Sequence, residues 1–295
     1  MNSIPRIPLG EWVDSFVASL YEHFEGLFRG FSYIIGGFVD LLTNFLTIIP
    51  AILMIIILCF LIWYTTRKLS LVIFTLIGLL FILNINYWAQ TMQTLALVLT
   101  SVIISIIVGI PIGILASQNE RFSKFLKPTL DFMQTMPAFV YLIPAITFFG
   151  VGVVPGIIAS VIFAMPPTIR FTDLGIRQVP EDLIEAANAF GSTASQKLFK
   201  VQLPLATGTI MAGVNQSIML SLSMVVTASL VGAPGLGVDV YRSVTQVNIG
   251  MGFEAGLAIV VIAIILDRIT QGFHTKENND QKTHFYNTKC VFYCI

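Results

Sequence analysis

Charge is scarce in this chain of 295 residues: Asp, Glu, Lys and Arg together make up 11% of it. A soluble domain carries roughly 25%, so an ordinary soluble fold is excluded. The few charges cancel to a formal net of zero. Without a basic field, a nucleic-acid partner is not expected. Cysteine is nearly absent, with only Cys59, Cys290 and Cys294. Cys59 sits in an apolar run and reads as a small core residue. With so few cysteines and no matching His pair, neither a metal site nor a disulfide scaffold is expected. No Gly-x-x-x-x-Gly-Lys-[Ser/Thr] stretch occurs, so the chain is not expected to be its own ATPase. No catalytic residue and no cofactor is expected either. The N-terminus shows Arg6 but no short apolar core after it, so no signal peptide is read there.

What is present is apolar. Hydrophobic residues make up 56% of the chain, and the mean hydropathy is +0.85. These values predict an all-α polytopic membrane protein. Runs near the ~20 residues needed to cross a bilayer fall at about 42–64, 69–86, 91–116, 129–150, 153–170, 206–231 and 252–268, about seven in all. The fifth is interrupted by Pro155, Pro166 and Pro167, and Pro111, Pro137 and Pro144 add kinks. Such breakers are tolerated where neighbouring helices re-satisfy the backbone. Residues 9–36 repeat Leu9, Trp12, Val13, Phe16, Leu20, Phe24, Leu27 and Phe31 at helical spacing, with charged residues on the other face. That pattern predicts an interfacial amphipathic helix over the segment 1–40. A helix packed on the protein's own flank would show the same pattern. Residues 41–90 then form accessory spans, and 91–272 the main transmembrane domain. The polar stretch 273–295 has no period and reads as a disordered tail on the cytoplasmic side.

Sidedness follows from Lys and Arg. If segment 171–205 is cytoplasmic, thirteen of the sixteen Lys and Arg residues lie inside. Only Arg6, Arg29 and Arg242 lie outside, which fits the positive-inside rule. The N-terminus is then outside and the C-terminus cytoplasmic. Ser101, Ser105, Gly109 and Gly113 form a ladder of small residues that lets another helix approach closely. No Lys, Arg, Asp or Glu falls near the middle of a span, which argues against an ion-coupled carrier. The polar residues of the sixth span are Asn215, Gln216, Ser217, Ser221, Ser223 and Thr227. Gln216, Ser223 and Thr227 share one face, as a weakly polar translocation lining or as helix–helix hydrogen bonds. Tyr141, Phe139 and Trp88 are candidates for cation–π contact with a quaternary ammonium. Each of the three is equally readable as packing or interface belt. Arg242 is the charged candidate for docking on the outer side.

The most informative segment is polar and lies between two apolar runs. Pro180 suits a first helical position, and Glu181 and Asp182 suit the positive end of a helix. Leu183, Ala186, Ala187 and Phe190 make an apolar stripe. Gly191 is a left-handed stop, and Thr193 with Gln196 can form a capping box. The run Glu185-Ala186-Ala187, then Gly191, then Val201-Gln202-Leu203-Pro204 resembles the EAA motif of importer permeases driven by ATP-binding cassettes. That motif has Ile where this chain has Val201. Further words are Leu130-Asp131-Phe132-Met133-Gln134-Thr135-Met136-Pro137, Pro166-Pro167-Thr168-Ile169-Arg170 and Val231-Gly232-Ala233-Pro234-Gly235-Leu236-Gly237. These resemble the permease subunits of glycine betaine/proline betaine importers.

The resemblance implies a type I ABC importer permease (MetI-like) fold in a bacterial cell membrane. It implies a coupling helix within 180–204, in which Glu185, Ala186, Ala187, Phe190, Gly191, Leu203 and Pro204 meet the ATPase. By residue type and position, Gln216, Ser223, Thr227 and Tyr141 are the candidates for its translocation pathway. Partners would be ATP-binding cassette ATPase subunits, an extracytoplasmic substrate-binding protein, a second copy of the permease and membrane lipid. The expected function is uptake of glycine betaine or a related quaternary ammonium solute for osmoprotection. An importer for another small solute such as an amino acid, an ion-coupled carrier and a membrane scaffold are the alternatives.

Overall fold

The computed structural model describes residues 8–293, with side chains from 8 to 272 except that of Leu9. Arg6 and Cys294 lie outside the described residues, as do the side chains of Lys276, Lys282, Lys289 and Cys290. Within those bounds the regular structure is entirely helical, as expected. The order is α1 (Leu9–Ile48), α2 (Ala51–Thr66), α3 (Leu69–Asn84), α4 (Trp88–Gln118), α5 (Glu120–Thr135), α6 (Ala138–Phe149), α7 (Val153–Arg177), α8 (Glu181–Ala189), α9 (Ala194–Lys197), a π turn (Leu198–Gln202), α10 (Leu203–Ser229), α11 (Leu236–Thr245) and α12 (Ile249–Tyr293). Five helical stretches among the described residues are long and apolar enough to cross a membrane: Gly10–Ile48, Trp88–Gln118, Val153–Arg177, Ala194–Ser229 and Ile249–Gly272. The bent pair α5–α6 adds a sixth if it counts as one crossing. The helices α2 and α3, at 16 residues each, reach about 24 Å against a hydrocarbon core of about 30 Å.

Prolines redraw two of the expected spans. A residue before proline is pushed from helical to extended backbone. Ile49, before Pro50, has φ −69 and ψ 125, which divides the expected span 42–64 between α1 and α2. Met136, before Pro137, has φ −68 and ψ 136. There α5 and α6 meet at 97°, so the expected span 129–150 is bent. By contrast α7 runs unbroken through Pro155, Pro166 and Pro167.

The first helix extends further than its pattern suggested, to Ile48, with a kink at Phe24. Its packed face is Phe28, Ile35, Val39 and Leu46. Phe28 stacks on Phe148 at 4.6 Å, and Ile35 and Val39 join the cluster of Leu97, Val154 and Ile157. The stripe read from the sequence faces the other way: Trp12, Phe16, Leu27 and Phe31 are all more than half exposed. The helix therefore shows apolar side chains outward, and the flank-packing alternative fails for that stripe. Its neighbours sit near one end of the bundle, beside the α6–α7 turn and the first turns of α4. At the other terminus, most of the stretch expected as a tail falls within the bounds of the last helix. The α12 backbone continues to Tyr293, and after Gly272 no Gly or Pro interrupts it.

The centre of the bundle is α7, held between α4 and α10. The predicted ladder provides one seam. A Cβ on Gly109 would lie 3.1 Å from a Thr168 methyl, and one on Gly113 only 2.6 Å from Thr172 Cβ and 2.8 Å from the Ile169 carbonyl. On the opposite seam, a Cβ on Gly213 would meet Phe171 Cβ at 2.6 Å and the Pro167 carbonyl at 3.1 Å. Thr168 and Ser217 hydroxyls are hydrogen-bonded at 2.7 Å across this seam, and Ser217 donates to the Ala164 carbonyl. Helix association in lipid relies on such close backbone packing with modest hydrogen bonds, because apolar burial gives no net drive there. A second cluster joins α2, α3, α4 and α12 through Ile62, Leu79, Ile82, Met92, Ala258 and Ile262.

Gly113→Val should lower the melting temperature of the purified protein by several degrees, since overpacking costs about 1–3 kcal/mol. Gly37→Ala, with nothing within 4 Å, should leave it unchanged or slightly higher. Equal melting curves for the two variants would contradict the seam.

Candidate functional site

The α8 helix forms an arm. Val179 leads into Pro180, which caps the helix at φ −53 and ψ 134, one residue before the first helical position expected for it. Glu181 and Asp182 occupy the first turn, where the helix dipole favours acids. At the other end the Gly191 amide donates to the Asn188 carbonyl and the Ser192 amide to the Ala187 carbonyl, both at 3.0 Å. This is a Schellman stop, and Gly191 supplies its left-handed residue at φ +74. The capping box on Thr193 and Gln196 is formed in both directions. Lys197 Nζ reaches back to Asn188 Oδ1 at 3.2 Å. These bonds fix the angle between α8 and α9.

No residue of α8 is buried. Leu183 is 44% and Phe190 91% exposed, and Glu185, Ala186 and Gly191 are exposed too. Its chief neighbours are α9 and the π turn. The alternative of a loop helix packed against its own body therefore does not describe α8. Leu203 is half-buried in the cluster of Ile176, Leu198, Ala206 and Ile210, and Pro204 begins α10. Both belong to the root of the arm rather than to its outer face.

Beside this root lies a cleft of about 380 Å³ between α4, α5 and α7, lined in part by Lys127, Asp131, Arg170, Asp173 and Arg177. Arg170 is paired with Asp131 across α7 and α5. Arg177 bonds Asp173 at 2.6 Å and the Ala116 carbonyl at 2.6 Å, tying the end of α7 to the end of α4. In the sequence, Arg177 marks only the side of the membrane, and Arg170 that side and the end of one family-like word. The i,i+4 spacing of Asp173 and Arg177 was the available signal for a local pair. Nothing local signalled the pairing of Arg170 with Asp131, 39 residues away.

The expected pathway residues divide. Gln216 and Ser223 are exposed on α10 and Thr227 is half-buried, on a face that also shows Met219 and Leu230. This face is uncharged and unpartnered within the protomer. Tyr141 does not join it. Its ring is buried, and its hydroxyl donates to the Met133 carbonyl at 2.7 Å and to that of Phe132, closing the α5–α6 bend. Phe139 is exposed on α6 and Trp88 packs on the α2–α4–α12 cluster, so the three rings form no cage. Asn215 is structural as well. It donates to Asp267 at 2.6 Å and accepts from Thr270 at 2.9 Å, both on α12. Ser221 is buried at a cavity of about 10 Å³ between α4, α7 and α10.

The family described as binding-protein-dependent transport system inner membrane component matches residues 109–276. The chain belongs to this family. Its relatives include the glycine betaine transport system permease protein OpuAB of Bacillus subtilis, 59% identical over 279 residues, spanning 95% of this chain and 99% of that protein. The glycine betaine/carnitine transport permease protein GbuB of Listeria monocytogenes is 54% identical, covering 95% of this chain and all of that one. The glycine betaine/proline betaine permease ProW of Escherichia coli is 45% identical over 96% of this chain and 79% of its own. An inward-facing MetNI methionine ABC transporter structure superposes with a TM-score of 0.60 at 20% identity, over 65% of this chain and 95% of that chain. At that identity it speaks for the fold alone, which is the ABC importer permease fold. Members of this inner-membrane family work with a separate binding protein and an ATPase.

Thr193→Ala should cost about 1 kcal/mol and Gly191→Ala a similar amount. Hydrogen exchange should show faster amides at Gly191 and Ser192 with the α4–α7–α10 core unchanged. Equal protection in both variants would mean that these caps do not hold the arm.

Proposed function

We propose that this chain is the membrane permease of an ATP-driven importer of glycine betaine or a related quaternary ammonium solute. The substrate class rests on three relatives, 45–59% identical, that carry glycine betaine in their names. The observation that carries the mechanism is the α8 arm, rigidly capped and without a buried residue. A small apolar face with Phe190 fully presented suits insertion into a groove of a partner. Glu185, Ala186, Ala187, Phe190 and Gly191 form the docking face in this reading, with Leu203 and Pro204 at its root. The ATPase binds α8 on the cytoplasmic side. ATP-driven closure of two ATPase subunits draws two such arms together, and the bundle rocks from inward- to outward-facing.

The unpartnered α10 face of Gln216, Ser223 and Thr227 supports a second protomer. Two copies facing each other would enclose a weakly polar, uncharged path, through which a zwitterion passes without being held by a fixed charge. Selectivity then belongs to the binding protein outside. The excess of Lys and Arg on the α8 side supports an N-terminus outside and a C-terminus in the cytoplasm. The outward apolar stripe of α1 meets lipid at the outer interface.

Reconstitution with an ATPase, a binding protein and radiolabelled glycine betaine tests the reading. Uptake should require ATP and both partners. Phe190→Ala or Glu185→Lys should weaken ATPase binding about 30-fold, the effect of losing a contact worth about 2 kcal/mol, with normal membrane insertion. Wild-type uptake in these variants would reject the docking face, and gradient-driven uptake by this chain alone would reject the energy source.

A further inference from the structure

At the end of the bundle away from α8, the short helix α11 packs on the first turns of α4. The Leu236 amide donates to Thr94 Oγ1 at 2.9 Å, and a Cβ on Gly235 would sit 3.3 Å from the Gln90 carbonyl. One turn further along α11, and one turn back along α4, this contact brings Asp239 towards Gln90, Thr91 and Tyr87. Three oxygens here are buried without any hydrogen-bond partner: Asp239 Oδ2, Gln90 Oε1 and Thr91 Oγ1. Asp239 is 7% and Thr91 1% exposed. The neighbouring hydroxyls are committed elsewhere, Thr94 to the Gln90 carbonyl and Ser243 to that of Val240.

Two of the three orphans, the carboxylate oxygen and the amide oxygen, can only accept. Acceptors buried without donors cost more than a hydrogen bond returns, and neither Asp239 Oδ2 nor Gln90 Oε1 has a donor within the protein. We propose that a proton on Asp239 supplies the missing donor and is given to Gln90 Oε1, and that the α4–α11 contact tightens when the proton binds and loosens when it leaves.

The surroundings agree with that assignment. Burial pushes the Asp239 carboxyl above its ordinary range, and the nearby Arg242 opposes this without reversing it. The charged or titratable groups facing the site are Arg242 on α11 itself, Tyr87 at the head of α4 and Glu254 on α12. The Tyr87 phenol is raised by burial, then by Asp239 and Glu254, with Arg242 opposing. No residue of α10 titrates. Two acidic groups and a phenol against one guanidinium favour an added positive charge. Three orphan oxygens, one of them from the single carboxylate, are few ligands for an alkali ion, whereas a proton needs only one donor and one acceptor position. Because the folded carboxyl is raised, its stabilising effect is complete below the ordinary value of 3.8. It declines as pH rises from there through the folded value. The site would sense the outer medium only if the sidedness proposed above holds; the proton itself does not depend on it.

The test uses the full chain in lipid nanodiscs, where both faces meet one buffer. Asp239→Asn keeps the shape and supplies a permanent N–H donor. Relative to this variant, the wild-type melting temperature should fall by about 2–4 °C per pH unit above the ordinary carboxyl value and then level off. Infrared spectra should show a protonated-carboxyl band that titrates above ordinary carboxyls and is absent from Asp239→Asn. Gln90→Leu should move that titration to lower pH, because it removes the acceptor of the acid proton. A rise to higher pH would overturn the proposal, because Gln90 would then be donating its amide to a carboxylate. The proposal fails equally if the band is missing from the wild type, or if Asp239→Asn keeps the wild-type pH slope. It fails too if sodium chloride, in place of N-methylglucamine chloride at equal ionic strength, stabilises the wild type but not Asp239→Asn.

Discussion

The structure depends on one steric requirement: the backbone of α7 must touch two other helices at once. In lipid, apolar side chains gain little by leaving one apolar surface for another, so contact distance has to come from small residues. Gly109 and Gly113 supply it towards Thr168 and Thr172 on one side, and Gly213 supplies it towards Pro167 and Phe171 on the other. The Thr168–Ser217 hydrogen bond then fixes the register of α10 on α7. Everything functional hangs from this triple layer. The arm α8 is the link between α7 and α10, and its position follows from where those two helices end.

The arm needs rigidity at its joints and freedom on its surface, and the sequence provides these separately. Gly191, Thr193 and Gln196 set the turn through backbone and capping bonds. Leu183, Glu185, Ala186 and Phe190 are left uncommitted. Further in, Arg177 secures the end of α7 to α4 through Asp173 and the Ala116 carbonyl. Asp131 and Arg170 connect α5 to the same helix. Two ion pairs, both partly in solvent, thus surround the cleft at the root of the arm. They contribute little to global stability, but they set the mutual placement of three helix ends.

Local chemistry was legible in the sequence and long-range chemistry was not. Gly191, the Thr193–Gln196 box and the Gly109–Gly113 ladder could be read because each acts within a turn or two of helix. The bend at Pro50 is just as local, yet hydropathy hid it, since the apolar run continues across it; at Pro137 a kink was expected, but not a bend of 97°. In α1 the periodic apolar residues were found but assigned no partner, and the packed face proved to be Phe28, Ile35, Val39 and Leu46. A membrane helix can be apolar on the face it shows to lipid as well as on the face it packs, so a periodic stripe does not say which is which. Tyr141 suggested a pathway role by residue type alone, and Asn215 was simply one of the polar residues of the sixth span. Their partners, the Met133 carbonyl and Asp267, are fixed by chain bends and by a helix 52 residues away.

From Ala194 to Ser229 the chain forms one stretch of 36 residues, about 54 Å at the α-helical rise. Near its foot sits the π turn Leu198–Gln202, a wider single turn that takes in an extra residue. In mechanical terms this is a shaft with a joint beside the crank. Its far end is held at Val231, whose carbonyl accepts from the Gly152 amide at 2.8 Å. The arm α8 is joined to the bundle at two places, α7 through Val179 and Pro180 and α10 through the π turn, so the turn is one of the two covalent joints through which the arm is hung.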